Sequence, residues 1–191
     1  RKSYLNLIKG AIRLAAVPDY WDFNLKTVYD INKNTRLTFT GIGGLDKITF
    51  EGEAQDVSDD NPYGKAKSNQ EQFTTGFNLK NLFRKGYVQT VLSNSTAFND
   101  IENRDLRTDE MKFHYNSFET DFNLKSEVFY QINNSNNIII GASGRFIKFR
   151  NETFYVEDTT AFGYIIPETN VNVKEDYYKA SACAQYTLKL F

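Results

Sequence analysis

From Trp21 to Ile31 the odd positions read Trp, Phe, Leu, Thr, Tyr, Ile, and the even ones read Asp, Asn, Lys, Val, Asp. Successive side chains of an extended chain point to opposite faces, so a period of two specifies a strand with one apolar and one polar side. The same pattern recurs. Phe122, Leu124, Ser126, Val128, Tyr130 and Ile132 oppose Glu119, Asp121, Asn123, Lys125 and Glu127. Tyr178, the alanines at 180, 182 and 184, Tyr186, Leu188 and Leu190 oppose Lys179, Ser181, Cys183, Gln185, Thr187 and Lys189. Phe73, Thr75, Phe77 and Leu79 oppose Thr74, Gly76, Asn78 and Lys80. Several segments keep the alternation for about 12–20 residues, whereas strands of globular domains run about 5–6.

Strands are expected near 1–8, 18–31, 36–50, 71–83, 87–98, 112–132, 138–156 and 174–191. Short polar turns lie at 32–35, 84–86 and 133–137, and long polar loops at about 51–70, 99–111 and 157–175, in strict alternation. Asp-Phe-Asn-Leu-Lys stands at 22–26 and again at 121–125, with Phe-Asn-Leu-Lys at 77–80 and Tyr-Thr-Leu-Lys at 186–189. The repeated unit is a hairpin of roughly 50 residues. The fold class is therefore all-β: an antiparallel up-and-down meander of about eight strands in a single domain. Short turns at one end and long loops at the other are the asymmetry of an outer-membrane barrel. In that setting Trp21, Phe23, Leu25, Phe122, Leu124, Tyr186 and Leu188 face lipid. Asp22, Lys26, Glu119, Asp121, Lys125, Arg145 and Lys179 face the lumen, together with Arg36, Lys80 and Glu127. These inward charges mix both signs, which suits a lumen filled by water or a plug. Tyr20, Trp21, Tyr29, Phe83, Tyr87, Tyr130, Tyr177 and Tyr178 cluster at strand ends, as interfacial aromatic girdles do.

Composition narrows the partners. Aromatics reach 15% and the net charge is −1 with both signs interspersed, so the basic stripe of a nucleic-acid binder is missing. The single cysteine, Cys183, rules out an intrachain disulfide framework. No apolar run approaches the roughly 20 residues of a spanning helix, which says nothing against strands. His114 is the one histidine, so any Ser-His-Asp triad or histidine-based metal site must use it. Its commoner role is a solvated or lumen-facing side chain, and no enzyme activity, catalytic residue, metal or cofactor is expected. Asp59, Asp60 and Asn61 with Glu51 and Glu53 lack EF-hand spacing and read as solvated loop acids. Gly41, Gly43 and Gly44 lack the Lys-Ser/Thr of a phosphate loop and mark a bend or bulge in a strand. Tyr63, Phe162 and Tyr164, with Ile166, are apolar residues on long loops and candidate ligand contacts.

Arg1-Lys2-Ser3-Tyr4-Leu5, then Val17-Pro18-Asp19-Tyr20-Trp21-Asp22-Phe23-Asn24-Leu25-Lys26, resembles a recurring stretch of TonB-dependent receptor barrels. Asn34 to Phe39, and on through Gly41-Ile42-Gly43-Gly44 to Asp46, resembles the strand that follows in that family. The resemblance is specific over residues 1–50 and topological beyond. It implies a segment of a 22-stranded barrel in the bacterial outer membrane, whose plug domain is not recognisable in this chain. It also implies import of a small scarce nutrient (a siderophore, a vitamin or a glycan), energised by the TonB complex acting through that plug. The remaining partners are outer-membrane lipid and the ligand. Two alternatives are a complete eight-stranded barrel with a structural or adhesive role, and a soluble β-sheet binding protein with one wet face.

Overall fold

The computed structural model describes residues 16–51, 65–160 and 162–189. Seven long strands form one antiparallel sheet in which chain neighbours are sheet neighbours. They are β1 (Ala16–Asn32), β2 (Thr35–Glu51), β3 (Lys65–Phe83), β4 (Gly86–Arg104), β5 (Met111–Asn133), β6 (Asn136–Tyr155) and β9 (Thr169–Leu188). A two-stranded hairpin, β7 (Asp158–Thr159) and β8 (Ile165–Ile166), sits in the connection between β6 and β9. The all-β up-and-down meander is the expected fold. The expected strand at 1–8 lies outside the described residues.

The short turns fall within the polar segments expected to form them. Asn32 Oδ1 accepts the Asn34 N–H at 2.9 Å, and Asn133 Oδ1 accepts the Ser135 N–H at 3.0 Å. Each asparagine folds the chain back through its own side chain. At the other end the strands outrun the sequence reading. β3 begins at Lys65, β4 runs to Arg104 and β9 begins at Thr169, so all three long loops are shorter than expected. The glycines at 41, 43 and 44 make no bulge, because the β1–β2 and β2–β3 registers pass through them without a shift. Gly43 instead leaves room for rings: a Cβ there would stand 2.2 Å from Phe23 Cε1 and 2.8 Å from Phe73 Cδ1.

The turns are staggered. Followed across the ladders, Thr35 after the first turn aligns with Ala184 on β9, Gly86 after the second with Tyr186, and Asn136 after the third with Leu188. Each hairpin thus steps two residues along its neighbour, or one residue per strand. A step of ~3.3 Å along the strand for every ~4.8 Å across it corresponds to strands inclined by ~35°. Barrel strands tilt by about 35–45°.

The sheet has no closed core. Among the described residues no side chain is fully buried, and Trp21, Phe23, Leu25, Phe122, Leu124 and Tyr186 are each about half exposed. The accessible surface is 13908 Å², against ~9300 Å² for a folded soluble monomer of this mass.

Candidate functional site

The candidate functional surfaces are the two faces of the sheet. Register assigns every strand residue to one of them. Phe23, Leu25, Phe73, Phe77, Leu79, Leu92, Phe122, Leu124, Ile140, Phe146, Tyr178, Tyr186 and Leu188 share a face with Trp21. Aromatic contacts tie neighbouring strands there: Phe39 lies 4.9 Å from Phe77, and Phe146 4.9 Å from Tyr178, ring centre to ring centre. Asn94, Thr96 and Thr120 on this face bond to one another. Asn94 Nδ2 donates to Thr120 Oγ1 at 2.9 Å, and the Thr96 and Thr120 hydroxyls are 2.9 Å apart.

The opposite face carries all the charges that the sequence placed together. Asp22, Lys26, Glu119, Asp121, Lys125, Arg145 and Lys179 share it. Asp121 and Arg145 form a bidentate ion pair across β5 and β6. Lys125 Nζ lies 3.4 Å from Glu127, and Lys80 Nζ sits 4.2 Å above the Tyr87 ring. Hydroxyl pairs bridge neighbouring strands, Thr74 with Ser95 at 2.9 Å and Ser143 with Ser181 at 2.8 Å. Tyr20, Tyr87 and Tyr177, expected in girdles, belong to this face. Trp21, Tyr29, Phe83, Tyr130 and Tyr178 remain on the other.

The sequence reading missed a change of phase. Toward the long loops, the two faces exchange character on strand after strand. On β1 the apolar residue shifts from Trp21 to its neighbour Tyr20, and on β2 from Leu45 to Ile48 and Phe50. On β4 it shifts from Phe98 to Ile101, and on β5 from Phe118 to Tyr115 and Phe113. On β6 it passes from Phe146 to Ile147 and Phe149, and on β9 from Tyr178 to Tyr177, Val173 and Val171. No register shift occurs at these points; the irregularities lie only beside Asp30, Asn103 and Gln131. The alternation of side chains continues while the surroundings they suit invert. Beyond the switch the Trp21 face turns largely charged, with Lys67, Asp100, Glu102, His114, Arg150 and Asp176, while Phe154 stays on it opposite His114. The Asp22 face there becomes aromatic, with Phe113 4.6 Å from Tyr155.

The apolar zone on the Trp21 face is therefore a band with two limits. It runs from Trp21 to Ile31 on β1 and from Tyr178 to Leu188 on β9. Trp21 aligns with Lys174 through the ladders, so the upper limit has moved four positions along β9. The turns moved in the same sense, from Ala184 to Leu188 between the β1–β2 and β5–β6 hairpins. The band keeps its height while slanting with the strands. Ten rises of ~3.3 Å give ~33 Å along a strand, or ~27 Å perpendicular to the line of the turns at the ~35° inclination.

Phe162 and Tyr164 are 89% and 72% exposed on the β7–β8 hairpin at the long-loop end. Tyr63 and the acidic group at 53 and 59–61 lie outside the described residues, and of Glu51 only the backbone is described. His114 stands on the Trp21 face, above the band, and not among the residues expected to face a lumen. Its Nε2 lies 2.9 Å from Asp100 Oδ1. Ser117, the nearest serine in sequence, belongs to the other face, where Asn99 Nδ2 donates to its hydroxyl at 3.2 Å.

No protein-family model, no curated protein and no solved structure matches the chain.

Proposed function

We propose that the sheet is a section of the wall of an outer-membrane β-barrel, and that the barrel is a TonB-dependent receptor importing a scarce nutrient. The observation that carries the wall reading is the slanted band of constant height. A band of ~27 Å suits the roughly 25 Å apolar girth of an outer-membrane barrel. In water, seven strands with an exposed aromatic face would aggregate; in lipid that face is solvated. The Trp21 face then meets lipid, and the Asp22 face lines a lumen holding water or a plug. The short turns lie on the periplasmic side. The strand extensions above the band stand outside the cell, charged toward water and aromatic toward the mouth.

The receptor reading is supported by the resemblance of residues 1–50 to that family. On this reading the chain contributes wall, mouth and loops. The plug and its contact with the TonB complex belong to the rest of the receptor, and the Phe162 and Tyr164 hairpin overhangs the ligand's entry.

Two experiments test these readings separately. In vesicles containing brominated lipid, the Trp21 fluorescence, assigned by its loss in Trp21→Phe, is expected to be quenched strongly by shallow bromines and weakly by deep ones. Absence of quenching at any depth removes the wall reading. Deleting the gene is expected to abolish energised uptake of one scarce nutrient, as deleting TonB does. Unchanged uptake of every nutrient tested removes the receptor reading and leaves the wall reading standing.

A further inference from the structure

The chain's single histidine stands beside two carboxylates on paired strands. Glu102 on β4 is the directly opposed partner of His114 on β5, and Asp100 is the next residue of β4 on the same face. One ligand atom from each of Asp100, Glu102 and His114 lies within 4.8 Å of the other two, and all three side chains are half-buried. Metal bonds of about 2.0–2.1 Å in a tetrahedral site put ligand atoms ~3.4 Å apart. Binding requires rotation of the side chains to close the remaining distance. β4 and β5 are each paired on both sides, which holds the backbone beneath the three side chains.

We propose that Asp100, Glu102 and His114 form a divalent-metal site of the zinc class, clasping β4 to β5 on the Trp21 face above the apolar band. The donor set selects the class. One imidazole nitrogen with two carboxylate oxygens suits zinc-like ions, whereas calcium and magnesium take all-oxygen shells. Three protein ligands leave a fourth position open to water or to a carboxylate from outside. The neighbouring cations leave the site usable. Arg104 Nε is 3.6 Å from Glu102, but Arg104 Nη1 also donates to the Asp109 carbonyl at 3.1 Å, which holds the guanidinium when Glu102 turns to a metal. Lys67 opposes Glu102 from β3 and offsets one carboxylate charge. The site does not depend on the receptor reading, since its face and register belong to the sheet itself.

The test uses the full chain folded in detergent and freed of metal. Zinc titration by calorimetry is expected to show one ion bound at this site. His114→Ala and Asp100→Asn should each weaken it roughly tenfold or more, as loss of metal-site groups does. Glu152→Gln, on the same face but outside the cluster, should leave it unchanged. The imidazole resonance of His114, assigned by its absence in His114→Ala, should move on zinc addition, and this readout holds even if a variant folds poorly. An unmoved resonance at saturating zinc, or undiminished affinity in folded His114→Ala, overturns the proposal.

Discussion

A lysine in place of Leu124 separates a lipid-facing wall from a wet sheet. Leu124 sits in the middle of the apolar band on β5, and its side chain is already 52% exposed. If that exposure were to water, the change would alter stability by about 0.5 kcal/mol or less, as surface substitutions do. If the exposure is to hydrocarbon, a lysine near the midplane costs ~2–4 kcal/mol. That lowers the folded-to-unfolded ratio roughly 30- to 700-fold. The neighbouring Asn123 belongs to the opposite face, so Asn123→Lys should cost ~0–1 kcal/mol in the same membrane, with water available to the ammonium. The assay is reversible urea unfolding in lipid vesicles, with both variants measured at the same lipid composition. The expected result is a large loss for Leu124→Lys and a small one for Asn123→Lys. Equal and small losses would refute the lipid assignment.

Three further outcomes follow from local geometry. A Cβ on Gly86 would lie 1.9 Å from the Phe129 carbonyl oxygen, so Gly86→Ala should push β4 away from β5 and cost ~1–3 kcal/mol, read as a lower unfolding midpoint. The backbone N–H groups of Thr108 and Arg107 donate to Asp105 and hold its carboxyl below the usual aspartate range. The order this gives the 105–110 loop is fully present above the ordinary aspartate pKa and is lost as pH falls through the depressed value. A carboxyl NMR titration of Asp105 with its midpoint at or above the model-peptide value would contradict this. Because Arg145 is 44% exposed while Asp121 is 19% exposed, a double-mutant cycle on the pair should give a coupling of about 1 kcal/mol or less after solvent screening. A coupling of several kcal/mol would mean that the Asp22 face is far drier than a lumen.

The sheet was legible because its central zone obeys one rule. From Trp21 to Ile31, and again from Tyr178 to Leu188, apolar residues keep a single parity, and parity is all a strand needs to declare its faces. The repeated Phe-Asn-Leu-Lys motif was legible for the same reason: Phe23, Phe77 and Phe122 all fall on one face. The strand ends were not. In Thr169–Tyr177 the apolar residues are Val171, Val173 and Tyr177, all odd, whereas Tyr178 and its successors are even. A pattern that changes parity without a bulge reads as a strand ending in a loop. The chain in fact continues extended, and only the medium on each side changes. Glu119, Asp121, Lys125 and Arg145 fall on one face because they share parity in their ladders. The pairing of His114 with Asp100 depends on the β4–β5 register, and no local spacing encodes that register.

The exchange of faces at Tyr177–Tyr178 is the point on which the membrane account rests. It is tested most directly by single spin labels along β9, from Thr169 to Leu188, in a Cys183→Ser background in lipid vesicles. From Tyr178 onward, accessibility to oxygen dissolved in lipid should peak at even positions, and accessibility to a water-soluble relaxant at odd ones. Before Tyr177 the oxygen peaks should vanish, and the even positions should become accessible from water. One unbroken phase along the whole strand, or water access at Ala180, Ala182 and Ala184, would contradict the account.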